Sequence, residues 1–213
     1  MRERPILFSA PMVRALLGGM KTQTRRLVRG EISTIGTMDY LNGQPLEGCS
    51  VTLLQCPYGK PGDQLWVREA WRSGKLTDRF PPREMLPHVV WYEADGPAPE
   101  ATNGKLRPGM FMPRWASRIT LQVTDVRVER LQDISEADAI AEGIERGVDF
   151  PGWCRGPLKG DSPGLQESGR TFRIPTAFPR LAYRALWESI NGTDSWDANP
   201  WVWVLSFNLV PTP

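Results

Sequence analysis

Residues 201–210 read WVWVLSFNLV, and no other stretch limits the fold as strongly. In an extended strand successive side chains alternate between faces, so Trp201, Trp203, Leu205, Phe207 and Leu209 point the same way and that side must be buried. Gln64–Glu69, entered through the turn Pro61-Gly62-Asp63, reads as a second strand. Arg118–Val128 also alternates, but its apolar set moves from odd positions (Ile119, Leu121, Val123) to even ones (Val126, Val128), which predicts a β-bulge near Thr124-Asp125. Shorter strands are expected at Pro5–Phe8, Val51–Leu54 and Val89–Tyr92, and Lys21–Val28 reads as extended.

Helical signals are fewer. Ser9 is placed to cap a helix over Ala10–Leu17, with Met12, Val13, Leu16 and Leu17 as its buried stripe and Gly18-Gly19 as its stop. Ser135-Glu136-Ala137-Asp138 resembles a capping box opening a short helix, with Ala137, Ile140, Ala141 and Ile144 on one face and Gly143 at its end. Phe178–Ile190 carries Phe178, Leu181, Ala182, Ala185, Leu186 and Ile190 at helical spacing. Several strands, a bulge and few helices predict an α+β fold, a small mixed β-barrel with packed helices, as one domain over 1–213. The 20 glycines and 20 prolines call for long loops, the longest over 146–176.

Several function classes find no support. Three cysteines without C-x-x-C spacing suggest neither a disulfide framework nor a zinc site, which fits the cytosol. Pro5–Phe8 is too short for a signal h-region, and no apolar run of about 18 residues is present, so a membrane role is not expected. Walker-type and G-x-G-x-x-G loops are missing, and His88 is the sole histidine, which leaves little room for a histidine-based relay or metal motif.

The residues that offer chemistry lie in GGMKTQTRR, residues 18–26. Lys21 is a candidate base, Thr22 and Thr24 carry hydroxyls, and Arg25 and Arg26 are anion forks that would depress the lysine pKa. The ordinary alternative is a solvated strand in which the threonines serve β-propensity. A regular strand puts Lys21, Gln23 and Arg25 on one face and Thr22, Thr24 and Arg26 on the other, so a Lys21–Thr24 pair requires a bend that the double glycine permits. Charge is uneven as well: residues 1–30 hold seven cations against Glu3, whereas 131–149 hold six acids against Arg146. Either a basic N-terminal segment faces an acidic helix, or the excess arginine serves a polyanion. Trp66-Val67-Arg68 and Arg114-Trp115 place aromatics beside arginines, a combination suited to a nucleobase stacked near a phosphate clamp.

Four landmarks in order resemble the ASCH domain family, a PUA-like barrel fold: the G-x-K-x-x-x-R pattern in GGMKTQTRR, the Gly62-Asp63 turn into its strand, the helix ending in Glu142, and the closing core strand. The likeness spans most of the chain, with insertions at 29–60 and 146–176, and is greatest to the long tryptophan-rich type encoded by bacteriophages and prophages. Small bacterial members of the family are N4-acetylcytidine amidohydrolases. The resemblance implies that Lys21, Thr24 and Glu142 are catalytic, with a Lys-activated threonine attacking an amide-like carbonyl and the glutamate moving protons or binding the amine. It implies no cofactor or metal, a modified nucleoside or RNA as partner, and a cytoplasmic location, the host's if phage-encoded. Thr22, Arg26, Trp66, Arg68 and Glu69 make up the expected substrate-binding set. Non-catalytic binding of RNA or a modified base is the alternative, and a ribonuclease or a phage assembly role is weaker.

Overall fold

The structure is a computed structural model that describes residues 1–30, 32–35, 38–41, 44–45, 56–146, 153–154 and 179–211. The expected strand at Val51–Leu54, Phe178 and most of 146–176 lie outside the described residues. Within them the fold is α+β. A five-stranded mixed sheet runs in the order β1 (Glu3–Leu7), β6 (Gln64–Arg68), β9 (Thr120–Arg130), β12 (Trp201–Val210), β2 (Gln23–Leu27). β1 pairs parallel with β6, and the other ladders are antiparallel. Small antiparallel pairings join β3 (Ile32–Ile35), β4 (Met38–Leu41) and β5 (Gln44–Pro45), then β7 (Trp71–Arg72) with β8 (Trp91–Tyr92), and β10 (Glu145–Arg146) with β11 (Trp153–Cys154). The main sheet is open among the described strands, with β1 and β2 as its edges. Its two edges are linked by a side chain: Arg26 Nη2 on β2 donates to the Leu7 carbonyl on β1 at 2.6 Å.

The strand that anchors this arrangement is the closing one, and it is buried on both faces. Trp201, Trp203, Leu205 and Phe207 join one core with Ile6, Phe8, Leu65, Val67, Leu121 and Val123, onto which α1 (Ala10–Leu17) packs Val13 and Leu16. Val202 and Val204, both 0% exposed, join a second core with α2 (Glu136–Ala141) and α3 (Pro179–Asn191). Each buried valine contributes about 1.5–3 kcal/mol, so the even positions of this strand count as much as the odd ones. Leu209, expected in the buried set, is 47% exposed near the strand's end. The bulge lies where the apolar phase changes. Asp125 pairs with Ser206 and Val123 with Phe207, which leaves Thr124 without a partner on β12.

The helices exist where the sequence places them, but their buried faces are rotated. Ser135 Oγ caps α2 by accepting from the Asp138 N–H, whereas Ser9 makes no side-chain cap. Leu17 and Ile140 are partly exposed, and Val13, Ala15, Leu16 and Ala139 carry the burial. In α3, Leu181 and Ile190 face outward while Ala182, Tyr183 and Trp187 turn inward. Aromatic side chains bury more area than leucine or isoleucine, and Tyr183 and Trp187, one turn apart, set the helix's orientation.

Two glycines bring the site's segments together. Gly19 has φ +71°, so the chain reverses after α1 and returns toward the sheet. Gly143, at φ +93°, follows α2, and a Cβ there would lie 3.2 Å from the Ala15 Cβ and 3.3 Å from the Lys21 Cβ. Gly143→Ala is therefore expected to cost about 1–3 kcal/mol, lowering the melting temperature by roughly 2–4 °C per kcal/mol in a calorimetric scan. A melting temperature equal to that of the wild type contradicts this account.

Candidate functional site

After Gly19 the chain forms an isolated bridge, Lys21 with Glu142, and the Thr22 N–H donates to the Ala141 carbonyl at 2.9 Å before β2 joins β12. The basic N-terminal segment thus docks on the end of the acidic helix, and this resolves the uneven charge for Lys21 and Arg25 without a polyanion. Lys21 Nζ donates to Glu142 Oε2 at 2.7 Å, to the Glu142 carbonyl at 2.9 Å and to the Gln23 carbonyl at 2.9 Å. Those three acceptors use all three protons of the ammonium. Lys21 and Glu142 are 3% and 5% exposed, so Glu142 is not a solvated helix end. Burial pushes the Lys21 pKa down; Glu142 opposes this and Arg26 and Arg25 add to it.

Arg25 supports the pair from the same strand face. Its Nη1 lies 2.7 Å from Gln23 Oε1 and 3.5 Å from Glu142 Oε1, Nε donates to Glu129 Oε1 at 3.1 Å, and Nη2 donates to Glu129 Oε1 and to Asp138 Oδ2. Arg127, on β9, ties Asp138 and Glu129 at 2.9 and 3.1 Å. Burial alone would raise the Asp138 pKa, but the Gln23 hydrogen bond and the two arginines outweigh it and hold the carboxyl below its usual range. Tyr183 reaches in from α3, its hydroxyl 3.4 Å from Glu142 Oε1, and burial beside that carboxylate pushes its pKa well up, so it stays a protonated donor.

A cavity of about 160 Å³ lies against this knot, lined by Thr24, Arg25, Arg26, Leu27, Glu142 and Tyr183 along with residues of α1 and α3. Ligand sites for drug-sized molecules span about 300–1,000 Å³, whereas cavities near 150 Å³ accept a benzene ring. The volume suits one six-membered ring with its substituents extending outward. Thr24 is 2% exposed, lines this space, and makes no side-chain hydrogen bond to any described residue.

The predicted site residues divide into three groups. Thr24, Glu142 and Arg26 line the cavity; Lys21 lies behind it, bonded to Glu142, and directs none of its protons to Thr24. Thr22 is exposed, and its main chain is bonded between Ala141 and Phe207. Trp66, Arg68 and Glu69 do not line the cavity, although Arg68 lies opposite Leu7, the residue whose carbonyl Arg26 binds. Trp66 is covered by Arg68 and Arg114 at 4.6 and 5.8 Å from its ring centre. Glu69 is paired with Arg118 through two bonds of 3.0 and 3.1 Å instead of with its neighbour Arg68. Tyr183, Asp138 and Glu129 were not legible as site residues. A tyrosine on an apolar helix face reads as core, and nothing in sequence spacing joins residue 183 to residue 142.

Among the described residues no group of three or more His, Cys, Asp or Glu could hold a metal ion, and no helix is long and apolar enough to cross a membrane. Comparison of the chain with protein-family models, curated proteins and solved structures returns no match.

Removing one member of a buried ion pair strands the other. Lys21→Met and Glu142→Gln are each expected to destabilise the fold by about 3–5 kcal/mol, and the double variant by less than their sum, with a coupling of at least about 1 kcal/mol in urea denaturation. Additive losses would show that the pair is not coupled.

Proposed function

We propose that this chain is an amidohydrolase of the ASCH type, with a PUA-like ancestry for its sheet, that removes an acyl group from the exocyclic amine of a modified cytidine such as N4-acetylcytidine. The observation that carries the reading is that Thr24, 2% exposed, lines a ring-sized cavity together with Glu142, which is ion-paired to a buried lysine.

In this reaction Thr24 Oγ1 attacks the acyl carbon, and its proton passes to the Lys21–Glu142 pair. The carbonyl–nitrogen bond then breaks, the amine leaves with that proton, and water hydrolyses the threonine ester to release the carboxylic acid. Desolvation of Lys21 favours its neutral form, which is what a base requires at moderate pH. Tyr183, held protonated, has a single proton directed at Glu142 Oε1 at 3.4 Å, and only when turned from there does it serve the oxygen that gains charge during attack. Arg26 and Arg29 line the wall, and in this reading they meet the ligand's polar substituents.

One observation favours the second reading, non-catalytic binding of a modified base or RNA. All three Lys21 protons are committed to Glu142 and Gln23, so the lysine meets Thr24 only through Glu142 or after rearrangement. Incubation with N4-acetylcytidine separates the two readings. Wild type is expected to release cytidine and Thr24→Val to lose at least about a hundredfold in rate; binding without turnover in wild type selects the second reading.

The direction of the Lys21 shift adds a pH test. A base that must lose a proton gains activity with rising pH, so kcat/KM should increase toward a plateau with a midpoint below the ordinary lysine value of about 10.4. In Glu142→Gln the carboxylate that favours the ammonium is gone, and the midpoint should fall further. A midpoint at or above the ordinary value contradicts Lys21 as the base.

A further inference from the structure

The cavity touches Thr24, Arg25, Arg26 and Leu27, four consecutive residues of one strand. Their side chains alternate between the faces of the sheet, so a space that meets all four lies against the strand's edge and not against either face. Residues from both sides of the sheet complete the walls: Met12 of α1 and Tyr58 on one, Tyr183 and Trp187 of α3 on the other. The result is a slot that receives a flat group edge-on to β2.

The ladder fixes what that edge presents. β2 pairs only with β12 among the described strands. The Phe207 N–H donates to the Thr22 carbonyl, and the Val28 N–H donates to the Trp201 carbonyl. With Gln23 opposite Ser206 and Leu27 opposite Val202, Thr24 and Arg26 turn their main-chain groups toward β12, while Gln23, Arg25 and Leu27 turn theirs outward. The outward Gln23 carbonyl is taken by Lys21 Nζ. No described residue bonds the outward main-chain groups of Arg25 and Leu27. Buried or half-buried main-chain groups of this kind require a partner.

We propose that the open edge of β2 is the specificity element of the cavity: the Arg25 carbonyl accepts from, and the Leu27 N–H donates to, the hydrogen-bonding edge of one planar base. The pattern selects rings that carry an N–H donor next to an acceptor nitrogen, as a cytosine ring does with its exocyclic amine and ring N3. This rests on the reading of the cavity as a nucleobase site and adds that the base is read by main chain. The edge holds the ring while the acyl substituent extends toward Thr24.

Calorimetric binding of cytidine, 3-deazacytidine and N4,N4-dimethylcytidine tests this without any acyl chemistry. The wild type is expected to bind cytidine and to weaken at least about tenfold with either analogue, since one lacks the acceptor and the other the donor. Leu27→Ala, which keeps the N–H, should retain that discrimination. Leu27→Pro removes the N–H from an edge where proline is tolerated and should bind cytidine and 3-deazacytidine equally. Equal wild-type affinity for cytidine and 3-deazacytidine overturns the proposal, as does full discrimination by Leu27→Pro or no cytidine binding at all. Where Leu27→Pro fails to fold, the analogue comparison on wild type still decides. Discrimination without hydrolysis of N4-acetylcytidine removes only the enzymatic reading, and hydrolysis without discrimination removes only the edge.

Discussion

The ion pair between Lys21 and Glu142 is the interaction on which the site depends. Two charges taken out of water cost several kcal/mol each, and they are tolerated only where geometry and further hydrogen bonds compensate. Here the ammonium has three acceptors, and the carboxylate meets Lys21, Arg25 and Tyr183. These bonds fasten the end of α2 to the start of β2, bring α3 against the same point, and leave the far side of β2 unpaired among the described strands, with a cavity beside it. Arg25, Arg127, Glu129 and Asp138 form a balanced second layer that fixes Arg25 and so fixes the face of the strand.

That knot also sets the character of the proposed chemistry. Thr24 lies on the opposite strand face from Gln23 and Arg25, and Glu142, Arg25 and Tyr183 of the knot line the cavity with it. In the proposed reaction the lysine acts through the glutamate it pairs with, and a proton leaving Thr24 enters a shared pair instead of a lone amine. The bend supplied by Gly19 serves to bring Lys21 to Glu142, not directly to Thr24.

Much of this was legible in residues that carry local rules. The apolar phase change around Thr124 located the bulge, the Ser135 capping box located α2, and the density of aromatics in 201–210 located the strand buried on both faces. Lys21 and Thr24 were singled out from residue chemistry, the resemblance joined Glu142 to them, and two of the three line the cavity. The misses share a cause. Periodicity assumes one buried face per element, but β12 is buried on both sides, and α3 orients by Tyr183 and Trp187 instead of by Leu181 and Ile190. The pairing of Trp66 with Arg68 was correct locally, and neither lines the cavity, because adjacency in sequence says nothing of which space a strand's side chains meet.

The most direct test of the account is whether Thr24 is the residue that becomes acylated. The protein would be exposed to an activated acetyl ester, quenched in acid, digested and mapped by mass spectrometry. The account predicts one acetyl group on the peptide containing Thr24, lost in Thr24→Val and strongly reduced in Glu142→Gln. Acetylation confined to surface lysines, unchanged by either substitution, would contradict it.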